Sequence, residues 1–483
     1  MLTTLRSYQD HGLSLMEKQT STYLAHEMGC GKTLIPIAYI DKHMPKQTLI
    51  LCPKVVIPVW VNEFKKHLGE DAKILVVPLD FKPGKRTRMT GADRLAYARQ
   101  QWVQANNAGW PIVFVINYES ARMKPLSEAF LKPAWDLVVA DEIHRVKSPS
   151  GSTSRWVGRL GKKAIKKVGL SGTPMPHSPL DVFGQYRFLN PDIYGINYTS
   201  FKSKYAEMGG YRHPVTKKPL EIMGYRNIPE LNEKFYSIGH RVTKDEALDL
   251  PSERHVERFC SMPSKAWKAY DSMEKELVAD LPDEYDPAVA ANVLVRGIRL
   301  QQITSGFIKN DQDIMVHLHE EKRRELKEFI TEDVPDGEPV VVFCRFKKDL
   351  AAVQEVATEM ERPYDEISGD RKDVKGKWNA ARGAILGAQI QSGGIGIDLT
   401  CSHFNVMFSQ TYNMGDYDQA LARTHRHGQE HDVVYVHLLI KGTIDEDIRA
   451  ALAHRATVVD DALTQSDVNR IIIDRIKKGR AVQ

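Results

Sequence analysis

The segment MGCGKT, residues 28–33, joins two closely spaced glycines to a lysine and a hydroxyl side chain. Gly29 and Gly31 leave backbone N–H groups free of side-chain obstruction, so the loop can wrap a phosphate and pass it to a following helix N-terminus. Lys32 is long enough to reach β- and γ-phosphates, and Thr33 offers a hydroxyl to Mg²⁺. The full GxxxxGK[ST] pattern needs a glycine five residues ahead of Gly31; His26 stands there, so the match is to a shortened GxGKT. A second element, DLVVADEIH at 136–144, is an apolar run ending in Asp141 and Glu142. Strand tips are where α/β sheets display ligand-binding groups. Adjacent acids there can divide the work, Asp141 holding Mg²⁺ and Glu142 orienting and deprotonating a water. Together the two elements point to nucleoside triphosphate hydrolysis.

These groups need elements to hold them. Over the first 190 residues short β-rich runs alternate with helix-like segments. The expected strands are 47–52, 72–77, 111–116, 136–140 and 166–170, with crossover helices over Val55–Leu68 and Ala92–Ala105. The runs are continuous rather than alternating, as parallel strands covered on both faces should be. The glycine-rich loop reads as a turn leading into a helix. Residues 191–335 show few strands and read as an insertion and helical linker; the α/β pattern then returns at 339–346, 382–389, 403–410 and 432–440. The expected organisation is a first lobe at 1–194, an insertion and linker at 195–335 closing it, a second lobe at 336–445, and a helical extension with a basic tail at 446–483.

The ordered motifs resemble the Snf2 (SWI/SNF-type) family of superfamily 2 helicase-like ATPases. LRSYQDHG resembles the Q-motif region, HEMGCGKT motif I, LCPKVVIPVWVNEF motif Ia, INYES (116–120) motif Ib, DEIH motif II and SGTPM (171–175) motif III. Farther on, HRVTKDEALDLP (240–251) resembles the RR-x-K element, VVVFCRF motif IV, QSGGIGIDLT (391–400) motif V and QALARTHRHGQ (419–429) motif VI. The resemblance implies two tandem RecA-like lobes with mostly parallel sheets, which share ATP and Mg²⁺. It places Gln9 near the adenine, Gly396 and Gln429 near the nucleotide, and Arg423 and Arg426 on the γ-phosphate, where the fixed guanidinium fork suits developing charge. His144, Ser171, Thr173 and Asp398 would couple nucleotide state to the track. The sequence departs from the pattern at Ile143, at Asp398, at Gln389-Ile390, and at His240, which replaces the first of a customary arginine pair.

By the same resemblance the partner is double-stranded DNA, followed by a monomeric motor. Lys54, Tyr118, Lys162, Lys163 and Gln391 are the expected nucleic-acid contacts. The overall charge, 67 Lys+Arg against 62 Asp+Glu or +5, is too small to show a polyanionic partner. Local excesses at 79–99, 161–167, 211–219 and 474–480 are where phosphate contacts would concentrate. A strand-separating DNA or RNA helicase and a nucleic-acid-binding scaffold with weak ATPase are the rival expectations. Five scattered cysteines fit neither a disulfide framework nor a Cys-based zinc site. No apolar run approaches the length of about 20 residues that spans a bilayer. The expected location is the cytoplasm or nucleoid of a prokaryotic cell, virus-infected or not.

Overall fold

The computed structural model describes residues 1–80, 82, 87–176, 178–212, 219–247, 250–279, 297–309, 315–374, 377–392, 397–411 and 413–457. The chain divides into two compact units: Met1–Glu207 with Tyr225–Asp249, and Leu250–Gly393 with Ile397–Gln483 and Met208–Gly224. Each is an α/β lobe built on its own sheet.

In the first lobe, strands β1 (Ser21–His26), β2 (Gln47–Cys52), β3 (Leu75–Pro78), β4 (Ile112–Asn117), β5 (Trp135–Asp141) and β6 (Ala164–Leu170) run parallel. Strands β7 (Ala206–Arg212) and β8 (Pro219–Tyr225) make a separate two-stranded sheet that falls mostly in the second unit, and β9 (Gly239–Val242) returns to the edge of the first lobe's main sheet. The order β3-β4-β2-β5-β6-β1-β9 seats β1, β6 and β5 side by side. Leu49, Ile50, Leu51, Val113, Val115, Val138 and Val139 have no exposed surface, which is the burial their continuous apolar runs require. Helices Leu34–His43 and Ile57–Leu68 bring Ile35, Ile37, Ile40, Trp60 and Phe64 into the same core.

The second lobe uses β10 (Glu253–Cys260), β13 (Val340–Cys344), β14 (Tyr364–Ile367), β15 (Ile385–Gln389), β16 (Phe404–Met407) and β17 (Val433–Ile440) in the order β10-β17-β16-β13-β15-β14, again parallel throughout. Its core joins Val340, Val342, Ile385, Val406 and Leu438 to Leu326, Phe329 and Ile330 of helix Glu321–Glu332. Between β10 and β13, strands β11 (Phe307–Lys309) and β12 (Met315–His317) form an antiparallel pair.

The two α/β lobes and their parallel strands are as expected, but residues 195–335 are more than an insertion and linker. That span supplies β9 to one sheet and β10 to the other. Both were illegible as core strands because they lie at sheet edges and carry charge: GHRV and ERHVERFC hold five Arg, His and Glu residues in the longer alone. Strand β1 also escaped notice, since Ser21, Thr22 and His26 interrupt its apolar run. All six residues are nevertheless buried. Internal bonds make that possible, Ser21 Oγ donating to Leu189 O at 2.6 Å and Tyr23 OH to Gln185 Oε1 at 2.6 Å. Among the described residues no helix is long and apolar enough to cross a membrane.

Candidate functional site

Because β1, β6 and β5 are parallel neighbours, the loops leaving their C-terminal ends emerge at one edge of the first lobe. They are Glu27–Thr33 after β1, Ser171–Thr173 after β6, and Glu142–His144 after β5. Three segments remote in sequence are thereby brought together. The turn after β6 sits close against the glycine loop: a Cβ on Gly172 would lie 3.0 Å from Met28 Cγ and 3.1 Å from Met28 N.

The glycine loop has positive φ at Gly29 (92°) and Gly31 (65°). Gly31 is required twice over, because a Cβ there would stand 2.7 Å from Gln9 Nε2. Of the loop and helix entry, Glu27 N, Cys30 N and Leu34 N find backbone acceptors, at Val242 O, Glu27 O and Gly31 O. Among the described residues nothing accepts from the N–H groups of Gly29, Gly31, Lys32 or Thr33, an arrangement made for an anion. Lys32 is buried to 9% exposure and forms no ion pair with a described residue. Gln9 braces the loop from helix Ser7–Lys18: Nε2 donates to Gly31 O at 3.2 Å and its Oε1 accepts from Arg6 N at 3.0 Å. Tyr8 OH adds a bond to Cys30 O at 3.0 Å.

Asp141 ends β5 almost fully buried, with Oδ2 accepting from Trp60 Nε1 at 2.9 Å and Oδ1 from Glu142 N at 3.0 Å. Tyr118 OH donates to Asp141 O at 2.8 Å. Burial first, then the neighbouring Glu142 charge, raise the Asp141 carboxyl above its ordinary pKa, with Lys32 opposing them. Glu142 itself holds a left-handed backbone at φ 51°, a strain of about 1–3 kcal/mol for a non-glycine residue. Its Oε2 is buried without a hydrogen bond from a described residue and lies 3.3 Å from His144 Nδ1. His144 Nδ1 also lies 2.9 Å from Ser171 Oγ, which accepts from Thr173 N at 3.1 Å. Burial, with Lys147, Arg145 and Lys32 behind it, pushes His144 down to about 3, so the ring linking Glu142 to the Ser171 turn is neutral.

The desolvated Asp141 carboxylate, with the Glu142 Oε2 that takes no hydrogen bond from a described residue, offers hard oxygens of the kind that suit Mg²⁺. Among the described residues no cluster of three or more His, Cys, Asp or Glu could hold a metal by itself.

In the second lobe Arg423 lies on helix Met414–Thr424 and Arg426 just beyond its end. Arg423 is 4% exposed, and neither Nη has a hydrogen-bond partner among the described residues. Burial pushes its guanidinium down to about 10, still a cation at neutral pH. Arg426 is half-buried, with its Nε also unbonded. Asp398 Oδ1 accepts from Thr400 N at 3.0 Å and from Thr400 Oγ1 at 2.7 Å, closing a local turn. Gly396 lies outside the described residues.

Several expected contacts need correcting. Tyr118 has no exposed surface and is a brace for Asp141 rather than a nucleic-acid contact. Gln429 is equally committed: Nε2 donates to Ser402 O and Thr424 O, while Oε1 accepts from Glu430 N and His431 N. With its amide saturated, Gln429 pins the turn after Arg426 and has no group left for a nucleotide. Lys162 and Lys163 are exposed, but they precede β6 whereas Ser171 follows it, so they stand at the opposite edge of the sheet from the phosphate loop. Of the other lysines in that patch, Lys166 Nζ donates to Gln19 O at 2.6 Å and to Met16 O, closing the C-terminal end of helix Ser7–Lys18. Lys54 starts a half-buried 3-10 turn after β2, at the same edge as the phosphate loop, and Gln391 is exposed in the turn after β15. In the 79–99 stretch Lys82 pairs with Asp93 at 3.3 Å and Arg94 Nε donates to Leu79 O at 2.8 Å. The basic residues at 213–218 and 474–480 lie outside the described residues.

Trp60 is the functional side chain that sequence reading passed over; its only signal was a tryptophan on the apolar face of an amphipathic helix. Trp60→Phe keeps an aromatic ring but loses the indole N–H, leaving Asp141 Oδ2 buried and short of a donor. The expected cost is about 1–3 kcal/mol of stability in the absence of nucleotide. Thermal unfolding with and without Mg·ATP checks it, the deficit shrinking when a cation takes the vacated lone pair.

The SNF2-related domain family matches residues 8–307, and the helicase conserved C-terminal domain matches residues 321–428. An uncharacterized ATP-dependent helicase of Mycoplasma pneumoniae is 23% identical over 97% of this chain and 43% of its own length. The putative ATP-dependent helicase/translocase YwqA of Bacillus subtilis is 25% identical over 96% of this chain and 49% of its own length. Putative protein p41 of Acyrthosiphon pisum secondary endosymbiont phage 1 is 25% identical, over 87% of this chain and 89% of its own length. The solved Sulfolobus solfataricus SWI2/SNF2 ATPase core in complex with dsDNA is 21% identical, covering 99% of this chain and 97% of its own, with a TM-score of 0.43. The chain thus spans less than half the length of the Mycoplasma and Bacillus relatives. With a phosphate loop, an acid pair and a Ser-Gly-Thr turn on adjacent strands, and a family match over residues 8–307, this chain belongs to the SNF2-related family.

Proposed function

We propose that the chain is an ATP-dependent motor on double-stranded DNA that couples hydrolysis to movement or to remodelling of protein–DNA complexes. The observation that carries the reading is the glycine loop, with four N–H groups that no described residue accepts, at the same sheet edge as the Asp141–Glu142 pair two strands away. ATP phosphates take the N–H groups of Gly29–Thr33, and Lys32 neutralises the β- and γ-oxygens. Thr33 and Asp141 hold Mg²⁺, which when bound supplies charge neutralisation on the phosphates. Glu142 accepts a proton from the attacking water at its carboxylate, and the neutral His144 relays the state of that carboxylate to Ser171. Arg423 and Arg426 stabilise charge on the transferring phosphoryl group. Asp398 belongs to the coupling set, with Lys54 and Gln391 the remaining nucleic-acid contacts.

Duplex DNA as the track rests on family membership and on the helicase/translocase relative. The test is steady-state ATPase with duplex DNA, single-stranded DNA and RNA, each across a salt series. Duplex DNA should stimulate most, and stimulation should fall steeply with salt, because phosphate contacts release counterions. Stimulation by single strands alone, with unwinding from a single-stranded loading site, would replace this reading with a strand-separating helicase. Hydrolysis indifferent to all three would reduce it to a scaffold.

A further inference from the structure

His26, the last residue of β1, and His240, in β9, meet at the base of the phosphate loop. Their Nε2 and Nδ1 atoms are 3.0 Å apart and their rings cross at 79° with centroids 4.9 Å apart. His26 has no exposed surface, and its Nδ1 is buried without a hydrogen-bond partner among the described residues. That orphan settles the proton placement. A bare lone pair at the buried Nδ1 costs less than a buried N–H with nothing to accept it, so His26 carries its proton on Nε2 and donates to His240 Nδ1. A second proton on His240 must sit on Nδ1, where it sets N–H against N–H and breaks the bond; a second proton on His26 must sit on the buried Nδ1, where among the described residues nothing accepts it.

The surroundings favour the uncharged state. Burial drives His26 down to about 3, with His240 and Lys32 adding to the effect. Burial and the nearby His11 lower His240, while Glu246 pulls it the other way. His11, from helix Ser7–Lys18, lies with its ring 4.7 Å from His240, and the Tyr8 ring lies 6.0 Å from His26. Lys32 is the cation on the loop side, and Glu246 is the acid on the β9 side.

The end of β9 and the chain after it hold the same loop at three further points. Glu27 N donates to Val242 O at 2.9 Å, Lys244 N donates to Glu27 Oε2 at 3.0 Å, and Cys30 Sγ lies 3.8 Å from Thr243 O. His240 therefore stands in a brace that reaches the phosphate loop from more than 200 residues away in sequence. It does so at the position where the resembled pattern has an arginine.

We infer that His26 and His240 are positioning residues for the phosphate loop, a hydrogen-bonded pair that stays buried and closed only while both rings are neutral, so that acidification loosens the loop and weakens nucleotide binding. The inference rests on the nucleotide reading of the glycine loop. Its sign follows from linkage: the closed loop binds fewer protons than the open one, so closure is fully favoured above the ordinary histidine range and weakens progressively as pH falls below about 6.5 toward the depressed value of about 3 at His26.

The test measures hydrogen exchange of the Gly29–Thr33 amides, corrected for intrinsic rates, and binding of a fluorescent N-methylanthraniloyl-ADP, both from pH 7.5 to 5.5. Opening should rise about tenfold for each histidine that must stay neutral, and affinity should fall with it. His240→Gln, which keeps an uncharged acceptor, should show a shallower slope of one proton and also corrects for titration of the nucleotide itself. His240→Arg should bind more weakly across the whole range. Loop exchange and binding that are flat to pH 5.5 in the natural protein, or a His240→Arg protein that binds as the natural one does, would overturn the inference. If His240→Arg fails to fold, exchange in the natural protein decides alone. Loop opening that follows pH in a protein that never binds the nucleotide would instead refute the nucleotide reading and leave the pair standing.

Discussion

The Glu142→Gln protein should bind ATP at least as tightly as the natural chain and hydrolyse it about 10²–10⁴-fold more slowly, the range that removal of a positioned general base produces. Glutamine matches glutamate in shape and inherits the same left-handed backbone, so the strain at φ 51° is unchanged between the two proteins. What changes is the charge and the proton-accepting oxygen. The natural carboxylate has one oxygen, Oε2, that receives no hydrogen bond from a described residue, although it is buried and lies near a neutral imidazole. A carboxylate oxygen whose lone pairs no described residue occupies can take a hydrogen bond, and then a proton, from a water. Its charge also acts on Asp141, being the second cause, after burial, of that carboxyl's raised pKa. Neutralising Glu142 therefore eases the ionisation of Asp141 and removes a repulsion that incoming phosphates would feel, so binding holds or improves. Steady-state turnover and equilibrium binding of labelled ATP, measured on the same preparation, separate the two effects. Turnover equal to that of the natural chain would remove Glu142 from the mechanism. Loss of binding would make it a structural residue.

How far the sequence reached is explained by where each element sits. Strands β2, β4 and β5 lie in the interior of their sheet, buried on both faces, and their apolar runs announce them. Edge strands β9 and β10 need only part of their surface covered, tolerate charge, and so carry no such pattern. The reactive groups Lys32, Thr33, Asp141 and Glu142 were legible because phosphate and metal chemistry demands those types at those spacings. Their supports were not. Trp60 reaches Asp141 from a helix that precedes it by 81 residues, and His240 reaches His26 across 214. Nothing local marks such pairings, which arise only when parallel strands bring distant segments to one edge. Tyr118 and Gln429 show the opposite error. Both lie in stretches that resemble family motifs, and both turn inward, where hydrogen bonding decides their role.

Arg423→Met should make the protein more stable and nearly inactive. A guanidinium at 4% exposure whose two Nη atoms lack described partners has surrendered its hydration without an anion in return. The fall of its pKa to about 10 under burial expresses that penalty, which the charge of Asp416 only partly offsets. A buried charge of this kind costs several kcal/mol, and apolar replacement of buried ionic groups commonly gains about 1–4 kcal/mol. Methionine fills much of the same volume with an unbranched chain that adapts to the site. Thermal unfolding without nucleotide should therefore move upward. Turnover should drop by about 10³–10⁵-fold, the loss expected when an arginine that neutralises a transferring phosphoryl group is removed. Arg426, half-buried and closer to solvent, lacks the first effect, so Arg426→Ala should lose rate without the gain in stability. The paired signs are what make the test decisive. A less stable Arg423→Met protein would mean that the guanidinium holds the fold together, and retained turnover would mean that Nη atoms without a described partner await something other than ATP.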